Sequence, residues 1–144
     1  MKILICGLPG SGKTTLSRAL STHFTIPHHN ADIYREYYND WDFSWIGRQR
    51  QALRMSKQFG ILDFVCPTEY LRTLVDPSFI IWMDTIDVSE YEDTNKIWEV
   101  PEAYNVRVTT QIDMYELSDV LMDYERNFKG LMTFLHDVLK VYKY

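Results

Sequence analysis

Residues Gly7, Leu8, Pro9, Gly10, Ser11, Gly12, Lys13 and Thr14 satisfy the pattern G-x-x-x-x-G-K-[ST] in full. That pattern works only in one setting, a strand that runs into a loop and a helix that leaves it. Both flanks are present. Ile3, Leu4, Ile5 and Cys6 form an apolar run that predicts a buried strand, and the amphipathic stretch from Thr14 to Phe24 predicts a helix. The glycines let successive backbone N–H groups turn inward around an anion, and the positive end of the helix adds to the attraction. Lys13 is then expected to reach the β- and γ-phosphates, and the Thr14 hydroxyl to ligate Mg²⁺, with Thr15 directly behind it. The competing reading is a chance glycine-rich turn. The complete match in this context favours a bound nucleoside triphosphate, with ATP and Mg²⁺ as the expected cofactors.

The rest of the chain alternates in the same way. Strands are predicted over Lys2–Cys6, Ile26–His29, Ile61–Cys66, Phe79–Met83 and Asn105–Thr109. Helices are predicted over Lys13–Phe24, Ile33–Tyr38, Ser44–Phe59 and Glu69–Leu74, with one long helix from about Asp113 to Tyr142. In that last segment Leu117, Val120, Leu121, Tyr124, Phe128, Leu131, Leu135, Val138, Leu139 and Tyr142 recur at three- and four-residue spacing, the stripe of a helix packed on a sheet. Short apolar strands separated by helices imply an α/β, three-layer P-loop NTPase fold with a parallel five-stranded sheet and helices on both faces. Residues 1–144 are expected to form a single domain, in which the aperiodic stretch 86–104 reads as a loop or lid over the site.

Composition narrows the partners. A net charge of −5 leaves no broad basic face for nucleic acid. No stretch approaches the roughly 20 apolar residues of a membrane span, and the start, Met1-Lys2-Ile3, lacks the layout of a signal peptide. A reducing cytoplasm is expected, with Cys6 and Cys66 as buried core residues and not a disulfide or metal pair. Aromatics gather between Tyr34 and Trp45, as core, as a pocket, or as a partner face.

Carboxylates are the next candidates. The third strand reads as ending without one, since Asp63 falls inside Ile61–Cys66, whereas Asp84 ends the fourth strand and either touches the site or caps a turn. Asp32 follows the second strand, and Arg35 stands one helical turn further on. Together they can receive a hydroxyl and an anionic group. An N-cap aspartate beside a surface arginine explains the same spacing.

Here the chain resembles the adenylylsulfate kinase family. The likeness runs through Gly7–Leu20, Asp32-x-x-Arg35, Asn39, Phe43-Ser44 and Arg48, then Phe64–Pro67 with Arg72 and Phe79–Thr85. It implies an ATP-dependent kinase that phosphorylates the 3′-hydroxyl of adenosine 5′-phosphosulfate. Asp32 would position that hydroxyl or take its proton, Arg35 and Arg48 would hold the phosphosulfate, and Phe43 would stack on the adenine. Gln51 stands where the family usually places a substrate-touching asparagine. Kinases resembling this chain are often homodimers. The departures are Ala31-Asp32-Ile33 in place of Gly-Asp-Asn, an interval from Arg35 to Phe43 one residue short, and an acidic segment Val88–Val106 in place of a basic lid. Lys96 is its only lysine or arginine before Val106, either a lid lysine or a plain surface one. Polynucleotide 5′-hydroxyl kinases and nucleoside kinases of the same fold share the P-loop and Asp-x-x-Arg, and a non-catalytic nucleotide-binding module would keep the P-loop alone.

Overall fold

The computed structural model describes residues 1–111, 114–126 and 130–137. Among these residues are five strands: β1 (Lys2–Cys6), β2 (His28–Asn30), β3 (Gly60–Asp63), β4 (Phe79–Met83) and β5 (Val106–Val108). They form one all-parallel sheet in the order β2-β3-β1-β4-β5. The helices are α1 (Lys13–Phe24), α2 (Ala31–Tyr38), α3 (Trp45–Ser56), α4 (Glu69–Val75), α5 (Glu92–Ile97), α6 (Met114–Arg126) and α7 (Leu131–Asp137).

Alternation along the strands builds two cores. Ile3 and Ile5 join Phe79, Ile81 and Met83 on one face, under Leu16 and Leu20 of α1 and Leu117, Leu121, Phe134 and Leu135 of the last two helices. Leu4 and Cys6 point the other way, to Leu62 and Trp82, and are covered by Ala52, Met55, Leu71 and Val75. Cys6 and Cys66 are both free and buried in this second core, and burial pushes the Cys6 thiol up to about 11.

Four expectations need correction. In place of one long helix the described residues hold two, α6 and α7; Gly130 lies outside either one, and its carbonyl starts α7 by accepting from Phe134 N at 3.1 Å; Phe128, Val138, Leu139 and Tyr142 of the stripe fall outside the described residues. β2 starts two residues later than expected and ends one later. β3 stops at Asp63, where the neighbouring strand β2 also ends (Asn30 pairs with Asp63), so the third strand does end on a carboxylate. The aperiodic stretch 86–104 contains a helix, α5, whose entry is closed by a reciprocal pair: Ser89 N donates to Asn95 Oδ1 at 2.9 Å and Asn95 Nδ2 to Ser89 O at 2.8 Å. Among the described residues no helix is long and apolar enough to cross a membrane.

Candidate active site

The P-loop leaves the carboxyl end of β1, beside the point where the chain crosses from β3 to β4 over β1. Gly12 is the N-cap of α1 at φ 99°, a left-handed conformation that a side chain disfavours. Among the described residues no side chain caps α1, and no acidic residue stands in its first turn. Its leading N–H groups are therefore available to an anion. Gly7 is needed for space: a Cβ there would meet Met83 O and Ser11 Oγ, each at 2.7 Å. Lys13 is buried and its Nζ donates to Leu8 O at 3.0 Å, which folds the ammonium over the loop. Burial draws the Lys13 pKa down, against the pull of Asp63. Ser11 Oγ is buried without a hydrogen-bond partner among the described residues. Thr15 is exposed on the first turn of α1.

Asp63 is the candidate site residue that the sequence reading did not place beside the P-loop. Thr14 Oγ1 donates to its Oδ2 at 2.7 Å, Asn30 Nδ2 donates at 3.0 Å, and His28 Nε2 lies at 3.1 Å. Burial alone would raise this carboxyl, but those hydrogen bonds and the Lys13 charge hold it below the usual carboxylate range. The available signal was the strand's length: a four-residue strand would have put Asp63 at its end. A hydroxyl and a carboxylate side by side next to a phosphate cradle suit Mg²⁺, which binds through one or two such groups and the phosphates themselves. Asp84 is occupied elsewhere. Its Oδ2 accepts from Arg107 Nη2 at 2.6 Å and Nε at 2.9 Å, and the guanidinium sits 4.8 Å from the Trp82 ring centre. These groups line a separate hollow with Leu8, Trp98 and Tyr104.

Next to the P-loop lies a cavity of about 560 Å³, lined by Gly10, Lys13, Thr14 and Asp63 and also by Asp32, Arg35, Phe43, Arg48 and Gln51. Pro9 also borders it, so loop and predicted site residues meet around one space. Asp32 is not a cap. Asn30 caps α2 by accepting from Asp32 N (2.9 Å) and Ile33 N (3.2 Å), which leaves the Asp32 carboxylate exposed in the first turn.

Arg35 is not a surface arginine either. It is buried, its Nη1 donates to Asp40 O (3.0 Å) and Asp42 O (3.1 Å), and its guanidinium lies 4.2 Å from the Phe43 ring centre. Burial lowers its pKa, and Asp40 opposes the shift. Arg48 Nε donates to Phe43 O at 2.9 Å, and its guanidinium lies 5.4 Å from the same ring. The other two basic residues of this helix, Arg50 and Arg54, turn away and hold Asp40 at 2.6 and 2.8 Å. Phe43 is 47% exposed, so it is a wall of the cavity and not core. Gln51 is 1% exposed; its Nε2 donates to Ala31 O at 2.7 Å, while its Oε1 is buried without a partner among the described residues.

The far wall comes from the stretch predicted as a lid: Glu90, Tyr91, Asp93 and Thr94 line the cavity. Lys96 is not among the lining residues and pairs only loosely with Glu92, at 3.9 Å.

A family model described as AAA domain matches residues 2–105. No curated protein sequence matches the chain. Among solved structures, the APS kinase CysC of Mycobacterium tuberculosis, in complex with AMPPNP and APS, superposes with a TM-score of 0.68 at 17% identity, covering 87% of this chain and 96% of that one. A sugar kinase from Janibacter sp. superposes at 0.64 with 11% identity, covering 87% and 94%. Shikimate kinase from Aquifex aeolicus gives 0.57 at 16% identity, covering 89% and 98%. At these identities the likeness establishes a kinase-type P-loop fold.

Proposed function

The chain belongs to the AAA-domain family, and from that premise we propose that it is an ATP-dependent small-molecule kinase whose acceptor is an alcohol, adenosine 5′-phosphosulfate being the first candidate. The observation that carries this reading is the shared cavity: the P-loop cradle opens directly onto a second compartment with a carboxylate, an aromatic wall and two arginines. A nucleotide-binding module has no need of that second compartment.

In this reading Lys13 and the first amides of α1 bind the triphosphate and offset the charge that develops as its terminal phosphoryl group moves. Thr14 and Asp63 would hold Mg²⁺, which would supply further neutralisation of the phosphate charge when bound. Asp32 orients the acceptor hydroxyl. The acceptor oxygen forms the new bond to phosphorus, the bond to the β,γ-bridging oxygen breaks, and the hydroxyl proton passes to the Asp32 carboxylate. Phe43 offers a flat face to a purine, backed by Arg35, and Arg48 lies beside it for an anionic group. A reducing cytoplasmic setting and a small nucleotide partner go with this reading.

A second reading has an observation of its own. Glu90 and Asp93 give the far wall negative charge, which suits a less anionic acceptor such as a nucleoside or a 5′-hydroxyl end. The deciding assay is Mg²⁺-dependent ADP release with adenylylsulfate as acceptor, beside Asp32→Asn and Lys13→Ala. Acceptor-stimulated turnover is expected, falling roughly 10²-fold or more in Asp32→Asn and by a similar or larger factor in Lys13→Ala. Nucleotide binding without stimulation by adenylylsulfate, nucleosides or 5′-hydroxyl oligonucleotides would overturn the kinase reading.

A further inference from the structure

We propose that Asp93 selects acceptors by charge: its carboxylate occupies the Arg48 guanidinium, so an anionic acceptor binds only by displacing it. The inference rests on reading the compartment beside Asp32 as the acceptor site. Arg48 Nη2 meets Asp93 Oδ2 at 3.3 Å, with the arginine side chain 9% exposed and the aspartate 66%. The arginine is thus a fixed, desolvated cation at the inner end of a solvated carboxylate. Its Nε is spent on Phe43 O, so the Nη1/Nη2 edge is the one left to grip an anion with two hydrogen bonds, and Asp93 holds the Nη2 of that edge.

The carboxylate is not brought there by a loose tip. The Ser89–Asn95 pair closes the entry to α5. Past its end Glu99 N donates to Pro67 O at 2.8 Å and Arg72 Nη2 to Glu99 O at 2.6 Å, tying the segment to α4 and the turn before it. Between these ties Asp93 and Thr94 face the cavity. The backbone is held at both ends, so exchange at Arg48 requires only that the exposed Asp93 side chain swing to water.

An anion entering the compartment meets one cation whose guanidinium is committed to a ring and two carbonyls, Arg35, and one already neutralised, Arg48. It also meets Asp32 and Glu90 at like charge. A neutral acceptor breaks no ion pair on entry. Asp93 therefore weakens anionic ligands selectively, by the worth of a half-exposed ion pair.

The test is ligand affinity, read by tryptophan fluorescence with adenosine 5′-phosphosulfate and with adenosine, in the wild type, Asp93→Asn, Arg48→Gln and the double variant. Asp93→Asn is expected to tighten the phosphosulfate about three- to fivefold, to leave adenosine where it was, and to give no gain when Arg48→Gln is also present. No gain for the phosphosulfate, an equal gain for adenosine, or a gain that survives Arg48→Gln would each overturn the proposal. Because binding is read and not turnover, absence of phosphoryl transfer in the same samples would count against the kinase reading alone.

Discussion

Thr14 Oγ1 and Asp63 Oδ2 lie 2.7 Å apart, joining the first turn of α1 to the last residue of β3. The bond spans 49 residues of sequence and puts a buried carboxylate against the phosphate cradle. Asn30 and His28 converge on the same oxygen, so β2 is drawn into the site as well.

Asp63→Asn should therefore raise the Mg²⁺ concentration needed for nucleotide binding by about tenfold or more, the scale seen when groups around a metal are removed. Metal-free nucleotide affinity should move far less. A magnesium titration at fixed nucleotide checks this; equal curves would remove Asp63 from the metal site. The same variant has a pH signature. The folded-state Asp63 carboxyl sits below its ordinary value, so its contribution to stability is complete above the unfolded pKa near ~3.9 and is lost as pH falls through the folded value. Acid unfolding below about pH 4 should be less steep in Asp63→Asn than in the wild type, as followed by circular dichroism.

Arg35→Lys should destabilise the fold as well as the cavity. One guanidinium nitrogen serves two carbonyls of the 40–42 turn while the plane rests on Phe43; an ammonium on a flexible stem cannot do both. The expected loss is roughly 1–3 kcal/mol, a fall in Tm of several degrees for a domain of this size. A thermal melt that coincides with the wild type would show that the turn holds itself.

Gly7→Ala should cost at least about 2 kcal/mol, because the new methyl group would press on the Met83 carbonyl, which is backbone and cannot swing away. Nucleotide binding should be lost with it, since the loop and β4 must part. Denaturant unfolding and nucleotide titration on one sample decide the matter. Retained affinity at wild-type stability would mean that the loop has room the geometry denies.

Much of the architecture was legible in local pattern. The ranges expected for Lys2–Cys6, Lys13–Phe24 and Phe79–Met83 coincide with β1, α1 and β4, because an unbroken apolar run or an amphipathic face is a property of neighbouring residues. Asp32, Arg35, Phe43, Arg48 and Gln51 were picked out by spacing and resemblance, and they do line one cavity. Their contacts were not legible. Arg35 and Arg48 are held by backbone carbonyls of a turn whose path depends on packing between α2 and α3.

The amino-acid sequence by itself determined that the chain would carry a P-loop between a buried strand and a helix, on a parallel sheet covered on both faces. Only the tertiary structure decided which carboxylate joins that loop. Asp63 reaches Thr14 because β3 slots between β2 and β1, in the register that sets Ile5 opposite Asp63, while Asp84 is drawn off to Arg107 on the far side of β4. It also decided that an acidic helix would present Asp93 to Arg48. Strand order and register are set by pairing between distant segments, and a shift of one residue sends every side chain to the opposite face, so such partnerships are written in no local pattern.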